Sequence, residues 1–419
     1  MMTIRKSRLA HNFFSLGLVQ VINSSLQLLV IPHVIKIIGA DEFGVIAVAQ
    51  VLMFFLSTFV DYGFGQTATR EVSLYRNDRS KVSSIFSFVI FSKLLLAVIA
   101  FTVLLILATT IPLFREHFLL YLAGFTMVLG QSMLLNWFFQ GLEKMWFVAI
   151  TTLVGRLIFV ALVFVFITTK EDGWLFLLFM GIGNIIAALI GFVIAKRFCN
   201  VQFISPSFKE ILREIREGWP FTVTNLSMNI CQYANIFILR LFTNDLVVGY
   251  FSIAERIFFT AKQVLTVFSN AIYPRLCLVV QNGRNEVIAF FKKIYLPFLV
   301  CVIAGSALII VLAEPVLRFF SDDEAVHSVF FLRMLCIVLV IVCLNIPSTL
   351  NLLAMNKRKS YFWVYTAGAL INIIANIILA ANFKSDGTIM AIFITEIFIT
   401  TGVIYESRRL ALPAKEIAK

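Results

Sequence analysis

Apolar runs of about 20 residues recur from one end of this chain to the other, each matching the length of helix that crosses a bilayer's hydrocarbon core. About twelve are read, centred near residues 23, 54, 96, 129, 157, 185, 230, 262, 304, 341, 371 and 397. Hydrocarbon offers no partner to a backbone N–H or C=O, so segments of this length span it as helices. Composition agrees. The 419 residues are 60% hydrophobic and 14% charged, with a mean hydropathy of +0.94, too few polar side chains to coat a soluble domain. The expected fold class is an all-α membrane protein. The first run is expected to be no cleaved leader: it is too long, too polar on one side, and lacks a small-residue cleavage site.

A net charge of +12 would suit a nucleic-acid partner, but its distribution argues for topology instead. Loops numbered alternately from an inside N-terminus leave only Lys36, Arg115, Lys170, Arg318 and Lys384 outside. Lys93, Arg156, Arg240, Arg256, Lys262 and Arg333 lie within helices, and the remaining 24 of the 35 Lys and Arg fall in inside segments. Such an excess is the positive-inside signature, so both termini are expected in the cytoplasm and no nucleic acid as a partner. Six cysteines (Cys199, Cys231, Cys277, Cys301, Cys336, Cys343) show no paired motif, and none falls in an outside loop. Neither disulfides nor a metal site is expected.

The polar residues inside the runs are arranged in stripes. After Trp219-Pro220, helical periodicity gathers Thr222, Asn225, Asn229, Gln232, Tyr233 and Arg240 on one narrow face. Beyond the short loop 243–247, a second helix places Ser252, Glu255, Arg256, Lys262, Gln263, Thr266, Ser269 and Asn270 within less than half a turn. Faces like these cannot meet lipid; they must meet one another, another helix or a wet cavity. The N-terminal helix repeats the theme with Asn12, Gln20, Asn23 and Gln27. A shift of 205 residues superposes Gln20 on Asn225, Ser24 on Asn229, Gln27 on Gln232, Gly44 on Gly249 and Ala49 on Ala254. In both halves a polar-striped helix and a short outside turn precede a Gly-led second helix. Six helices per half insert with the same orientation, so the two bundles are expected to be related by a pseudo-two-fold along the membrane normal, with a cleft between them. The expected domains are 1–195 (N-terminal bundle), 196–217 (cytoplasmic linker), 218–405 (C-terminal bundle) and 406–419 (basic cytoplasmic tail).

Depth ranks the intramembrane charges. An unpaired charge at mid-bilayer costs about 2.5–3.5 kcal/mol even on the lenient insertion scale, so deep cations need water, a ligand or a partner. Arg240 and Arg333 lie near outside ends, where snorkelling suffices. Lys93, Arg156 and Lys262 lie deep and Arg256 is intermediate; these four are the expected substrate-binding cations of a cationic cavity. Gln20, Asn23, Gln27, Asn225, Asn229, Gln232, Gln263 and Asn270 are its expected polar lining, with interhelical hydrogen bonding as the competing reading. The acids Asp61, Glu255 and Glu396 are candidates for gating or ion coupling. Asp61 reads first as a turn or cap residue and Glu396 first as the partner of a buried base, while Glu255 reads equally as a partner of Arg256 or Lys262. Catalysis finds no support: His11, His33, His117 and His327 form no HExxH, and no GxxxxGK[ST] loop occurs, so ATP is not an expected fuel and no cofactor is implied.

Several motifs are familiar in order and spacing. They are Asn12…Gln20…Asn23…Pro32…Gly39…Phe43-Gly44, Asp61-Tyr62-Gly63-Phe64 with Ala68-Thr69-Arg70, and Gly218-Trp219-Pro220-Phe221. Val248-Gly249-Tyr250-Phe251-Ser252-Ile253-Ala254-Glu255-Arg256 and Tyr273-Pro274-Arg275 complete the set. In these the chain resembles the polysaccharide, or O-antigen, flippases of the multidrug/oligosaccharidyl-lipid/polysaccharide exporter superfamily. The resemblance implies a twelve-helix, V-shaped transporter of the bacterial inner membrane. It would turn undecaprenyl-diphosphate-linked oligosaccharide units from the cytoplasmic to the periplasmic leaflet by alternating access. The two further helices usual in the lipid II branch are missing, which favours the O-unit branch. Partners implied are the lipid-linked oligosaccharide, a polysaccharide polymerase and a chain-length regulator. The alternative on the same scaffold is a secondary exporter of a small anionic or amphipathic molecule. An organic-cation exporter would need acids where this interior carries bases. A membrane enzyme would need a larger loop than any read here, the longest being about 22 residues.

Overall fold

The computed structural model describes the backbone of residues 2–207, 211, 215, 233–320, 326–355 and 357–409, with the side chains of residue 26 and most positions from 29 onward. Among the described residues every regular element is helical. They are α1 (Met2–Asp61), α2 (Phe64–Leu74), α3 (Arg79–Thr110), α4 (Pro112–Arg115), α5 (Phe118–Met133), α6 (Asn136–Gly141), α7 (Met145–Phe166) and α8 (Leu175–Phe198), then α9 (Tyr233–Phe242) and α10 (Asp245–Val279). Next come α11 (Arg284–Phe290), α12 (Leu296–Val311), α13 (Ala313–Phe320), α14 (Val326–Ala354) and α15 (Arg358–Arg409). Eight helices among these residues are long and apolar enough to cross a membrane. Two are broken internally. Gly39 (φ 88°) divides α1 where the outside turn was expected, and Lys384 (φ 53°) divides α15. Each expected run therefore lies in a helix except the one centred near 230, which falls outside the described residues.

The chain divides into two compact units, Met1–Tyr233 and Ala234–Lys419. The chain just after α8 is tied back to the first unit. Gln202 N donates to Ser83 Oγ (3.1 Å) and Ile204 N to Ser87 Oγ (2.8 Å), giving two α3 hydroxyls to an extended strand of chain. Phe203 inserts its ring against Phe86 and Phe192, and Tyr62 Oη donates to the carbonyl of Ile215 at 2.7 Å.

Within the first unit α8 packs against α5 and α7, and small residues set how near the backbones come. A methyl group added at Gly183 would meet the carbonyl oxygen and carbon of Gly155 and the β-carbon of Phe159; one at Gly130 would lie 2.7 Å from the β-carbon of Asn184. The opposite faces are apolar and exposed, as at Leu94, Val98, Leu157, Phe164, Leu189 and Val193, which suits contact with acyl chains. In the second unit α14 packs against α10, α12 and α15. A π-helical turn at Phe291–Tyr295 leads into α12, and Tyr295 Oη donates to the carbonyl of Cys343 (2.9 Å).

The 205-residue repeat extends to burial. Phe43 and Val248, Ile46 and Phe251, and Ala49 and Ala254 are all fully enclosed in their own units. Gln50 and Glu255, also 205 apart, are both buried. The two helices thus bury the same face.

Gly181 sits where an added side chain would overlap the backbone of Thr126–Met127, whereas Gly305 in α12 faces open space. Gly181→Leu is expected to destabilise the protein by about 1–3 kcal/mol or more through overpacking, and Gly305→Leu by less than about 0.5 kcal/mol. Thermal unfolding of the two purified variants in one detergent checks this.

Candidate functional site

The expected charges prove to differ in kind. In the first unit, α1 stops at Asp61 because Tyr62 (φ 50°) and Gly63 (φ 77°) both take the left-handed conformation, turning the chain into α2. The turn aims the Asp61 carboxylate at α3. Lys93, 1% exposed, donates from Nζ to Asp61 Oδ1 at 2.7 Å and to the carbonyl of Ser132 at 3.0 Å. That carbonyl is available because α5 ends one residue later, leaving its last oxygens without helical partners. Gly65 keeps the space clear, since a β-carbon there would stand 3.1 Å from Asp61 Oδ2. The ammonium expected to face a wet cavity is itself enclosed, held by a partly exposed carboxylate and by a carbonyl at a helix end. Asp61 is both a turn residue and one half of this pair.

Arg156, expected to line the cavity, stands apart from the paired charges. It lies near the middle of α7, beside the Gly155 contact with α8, and is half-buried. Among the described residues it has neither an ion-pair nor a hydrogen-bond partner.

In the second unit, α10 carries Arg256 and Lys262, both half-buried. Lys262 Nζ lies 3.7 Å from Glu396 Oε1 of α15 and 5.7 Å from the centre of the Phe258 ring. The ion pair is loose, with the two side chains 35% and 17% exposed, so Lys262 keeps donors free toward its open side. Glu255 is buried one residue before Arg256, in the field of Arg256 and Lys262. It makes no hydrogen bond and no ion pair with any described residue. Gln263 is half-buried and Asn270 exposed on the same helix. The side chains of Gln20, Asn23 and Gln27, and the whole of Asn225, Asn229 and Gln232, lie outside the described residues.

Arg240 pairs with Asp245 and donates to the carbonyl of Thr243 at 3.2 Å, bracing the turn between α9 and α10. Arg333 donates from Nε to the carbonyl of Ile310 at 3.2 Å, capping the end of α12. A polar cluster unforeseen as a unit joins α9 to both parts of α15. Asn376 Nδ2 donates to Asn235 Oδ1 (2.9 Å), and Thr388 Oγ1 donates to Asn376 Oδ1 (3.0 Å), all buried. Asn372 and Asn376 lie four apart on one helical face, which was the available signal; their partners come from distant segments that periodicity cannot connect. Among the described residues no group of three or more His, Cys, Asp or Glu side chains is placed to hold a metal.

The family described as "Polysaccharide biosynthesis protein" matches residues 9–278. A protein of Escherichia coli K12 named "Putative O-antigen transporter" is 26% identical over 402 residues, spanning 96% of this chain and 97% of that protein. Among solved structures, an inward-facing multidrug resistance MATE family transporter of the MOP superfamily aligns with a TM-score of 0.66 at 18% identity, covering 92% of this chain and 97% of that one. The lipid II flippase MurJ in an inward closed conformation aligns with a TM-score of 0.66 at 17% identity, covering 96% and 87%. At such identities the two structures speak for a shared fold.

The Lys93–Asp61 geometry yields an asymmetric prediction. Asp61→Asn leaves a buried ammonium without its counter-charge and should cost about 3 kcal/mol, the low end for a broken buried pair because Asp61 is partly exposed. Lys93→Met should cost less, and the double variant should regain most of the loss. Unfolding curves of the three variants check the order; a Lys93→Met protein as stable as the parent but inactive would instead place Lys93 on the substrate path.

Proposed function

The chain belongs to the polysaccharide biosynthesis protein family, and from that premise we propose that it flips lipid-linked polysaccharide repeat units across the bacterial inner membrane. The substrate we infer is an undecaprenyl-diphosphate-linked O-unit, moved from the cytoplasmic to the periplasmic leaflet by alternating access. Both termini are cytoplasmic in this reading, as the Lys and Arg asymmetry favours. The single observation that carries it is Arg156, an intramembrane guanidinium left unneutralised by any described residue. A cation in that position is expensive to keep unless something anionic visits it. A diphosphate suits it well, because a guanidinium forks onto two phosphate oxygens at once.

Lys262 and Arg256 extend the same role in the second unit. Glu396 holds Lys262 while the site is empty, and an arriving diphosphate competes for the ammonium. Lys93 serves as a positioning residue for Asp61 at the gate-like turn 61–63, and the polar stripes meet the sugar hydroxyls. Energetics fit an electrical drive. Carrying one charge through the membrane potential is worth about 2.3 kcal/mol per 100 mV. A diphosphate of roughly two negative charges moving outward from a negative interior gains about 4–5 kcal/mol per 100 mV. The vacated cationic site is drawn back inward by the same field.

Complementation of a flippase-null strain tests the assignment. Arg156→Ala is expected to abolish surface polysaccharide, and Arg156→Lys to restore part of it, since the charge returns without the fork. Full activity of Arg156→Ala in a well-expressed protein would remove Arg156 from the path. Vesicles with a clamped potential test the drive: flipping should rise with an inside-negative potential. Indifference to potential combined with response to a proton or sodium gradient would shift the coupling role to Glu255.

A further inference from the structure

At one end of the first unit three connections between helices meet around a polar pocket of about 260 Å³. The turn from α2 to α3 brings Arg76 and Arg79, the turn from α6 to α7 brings Lys144, and the end of α8 brings Phe198 and Cys199. None of the motifs or intramembrane charges discussed above lies in it. Its cations outnumber its acids. Arg76 pairs with Glu143 at 2.9 Å, and Asp78 is spent accepting from Ser80 N and Lys81 N at the start of α3. Arg79 is exposed, with no acid paired to it among the described residues. Lys144 Nζ is steered inward by the carbonyl of Phe198 and the sulfur of Cys199, each at 3.4 Å, neither of which carries a negative charge to cancel it.

The walls are mixed in character. Leu142, Val82 and Val201 line the same pocket as the cations, and Phe198 is 65% exposed at its edge. Close by in sequence, Trp146 is 69% and Phe203 60% exposed. A Trp left uncovered at a helix start, as Trp146 is on α7, is characteristic of the headgroup level of a membrane. The pocket thus combines basic donors with apolar lining beside the ends of membrane-length helices. Basic pockets between helices at that level are suited to acidic headgroups.

We propose that this pocket binds a lipid-borne phosphate, with Arg79 and Lys144 as the principal donors and Arg76 supporting them from its pair with Glu143. The acyl or prenyl chain lies along the apolar rim. Two lipids carry this chemistry, an acidic phospholipid and a polyprenyl diphosphate, and the test separates them.

Native mass spectrometry of the full chain from detergent micelles doped with dioleoylphosphatidylglycerol or dioleoylphosphatidylcholine reads the site directly. Wild-type protein should retain phosphatidylglycerol at least ten-fold better, about 1.4 kcal/mol, and Arg79→Ala/Lys144→Ala should lose that preference. Arg79→Lys/Lys144→Arg should keep it, which separates lost charge from lost folding. Lys81→Ala/Lys196→Ala removes the same formal charge from exposed positions that do not line the pocket, and should leave the preference intact. Displacement of phosphatidylglycerol by equimolar polyprenyl diphosphate would name the diphosphate as the preferred occupant; failure to displace would name the phospholipid. Either upholds the site. Equal retention of both phospholipids by the wild type, a loss in Arg79→Lys/Lys144→Arg or in Lys81→Ala/Lys196→Ala equal to that in Arg79→Ala/Lys144→Ala, or displacement by soluble pyrophosphate as effective as by the lipid would overturn it.

Discussion

Hydrocarbon leaves a polar group no solvent to fall back on, and every part of this structure answers to that constraint. Backbone groups satisfy themselves within helices, and where a helix ends early a side chain takes over. Lys93 does this for the carbonyl of Ser132 and Arg333 for that of Ile310, while inside α14 Tyr295 serves the carbonyl of Cys343, whose helical donor position is taken by Pro347. Charges follow the same rule with one difference: a charge also needs its opposite. Lys93 finds it in Asp61, Arg240 in Asp245, and Lys262 loosely in Glu396. Arg156 finds neither a counter-charge nor a hydrogen-bond partner among the described residues, and the functional reading begins there.

The helices were legible in the sequence because apolar length is a one-dimensional signal. The breaks were partly so: Gly39 and Gly63 invite left-handed backbone, whereas Tyr62 and Lys384 adopt it with no such advertisement. The repeat showed itself in only a few identical pairs, yet its buried face recurs position by position. Packing constrains volume and polarity at such positions more than identity.

The site was legible in position and not in pairing. Depth in the membrane singled out Lys93, Arg156 and Lys262 alike, because depth can be counted from the end of a run. Whether a charge is neutralised depends on residues 32 or 134 positions away, as in Lys93 with Asp61 and Lys262 with Glu396. No local pattern carries that. The basic pocket at the end of the first unit was likewise dissolved into the tally of inside Lys and Arg; only folding gathers Arg79 and Lys144 around one hollow.

Gln50 and Glu255 occupy equivalent, equally enclosed places in the two units, but one ends in an amide and the other in a carboxyl. The carboxyl can take up and give back a proton; the amide cannot. Proton exchange therefore has a handle on one unit and none on its counterpart at this position. A scaffold duplicated in shape is lopsided in its chemistry.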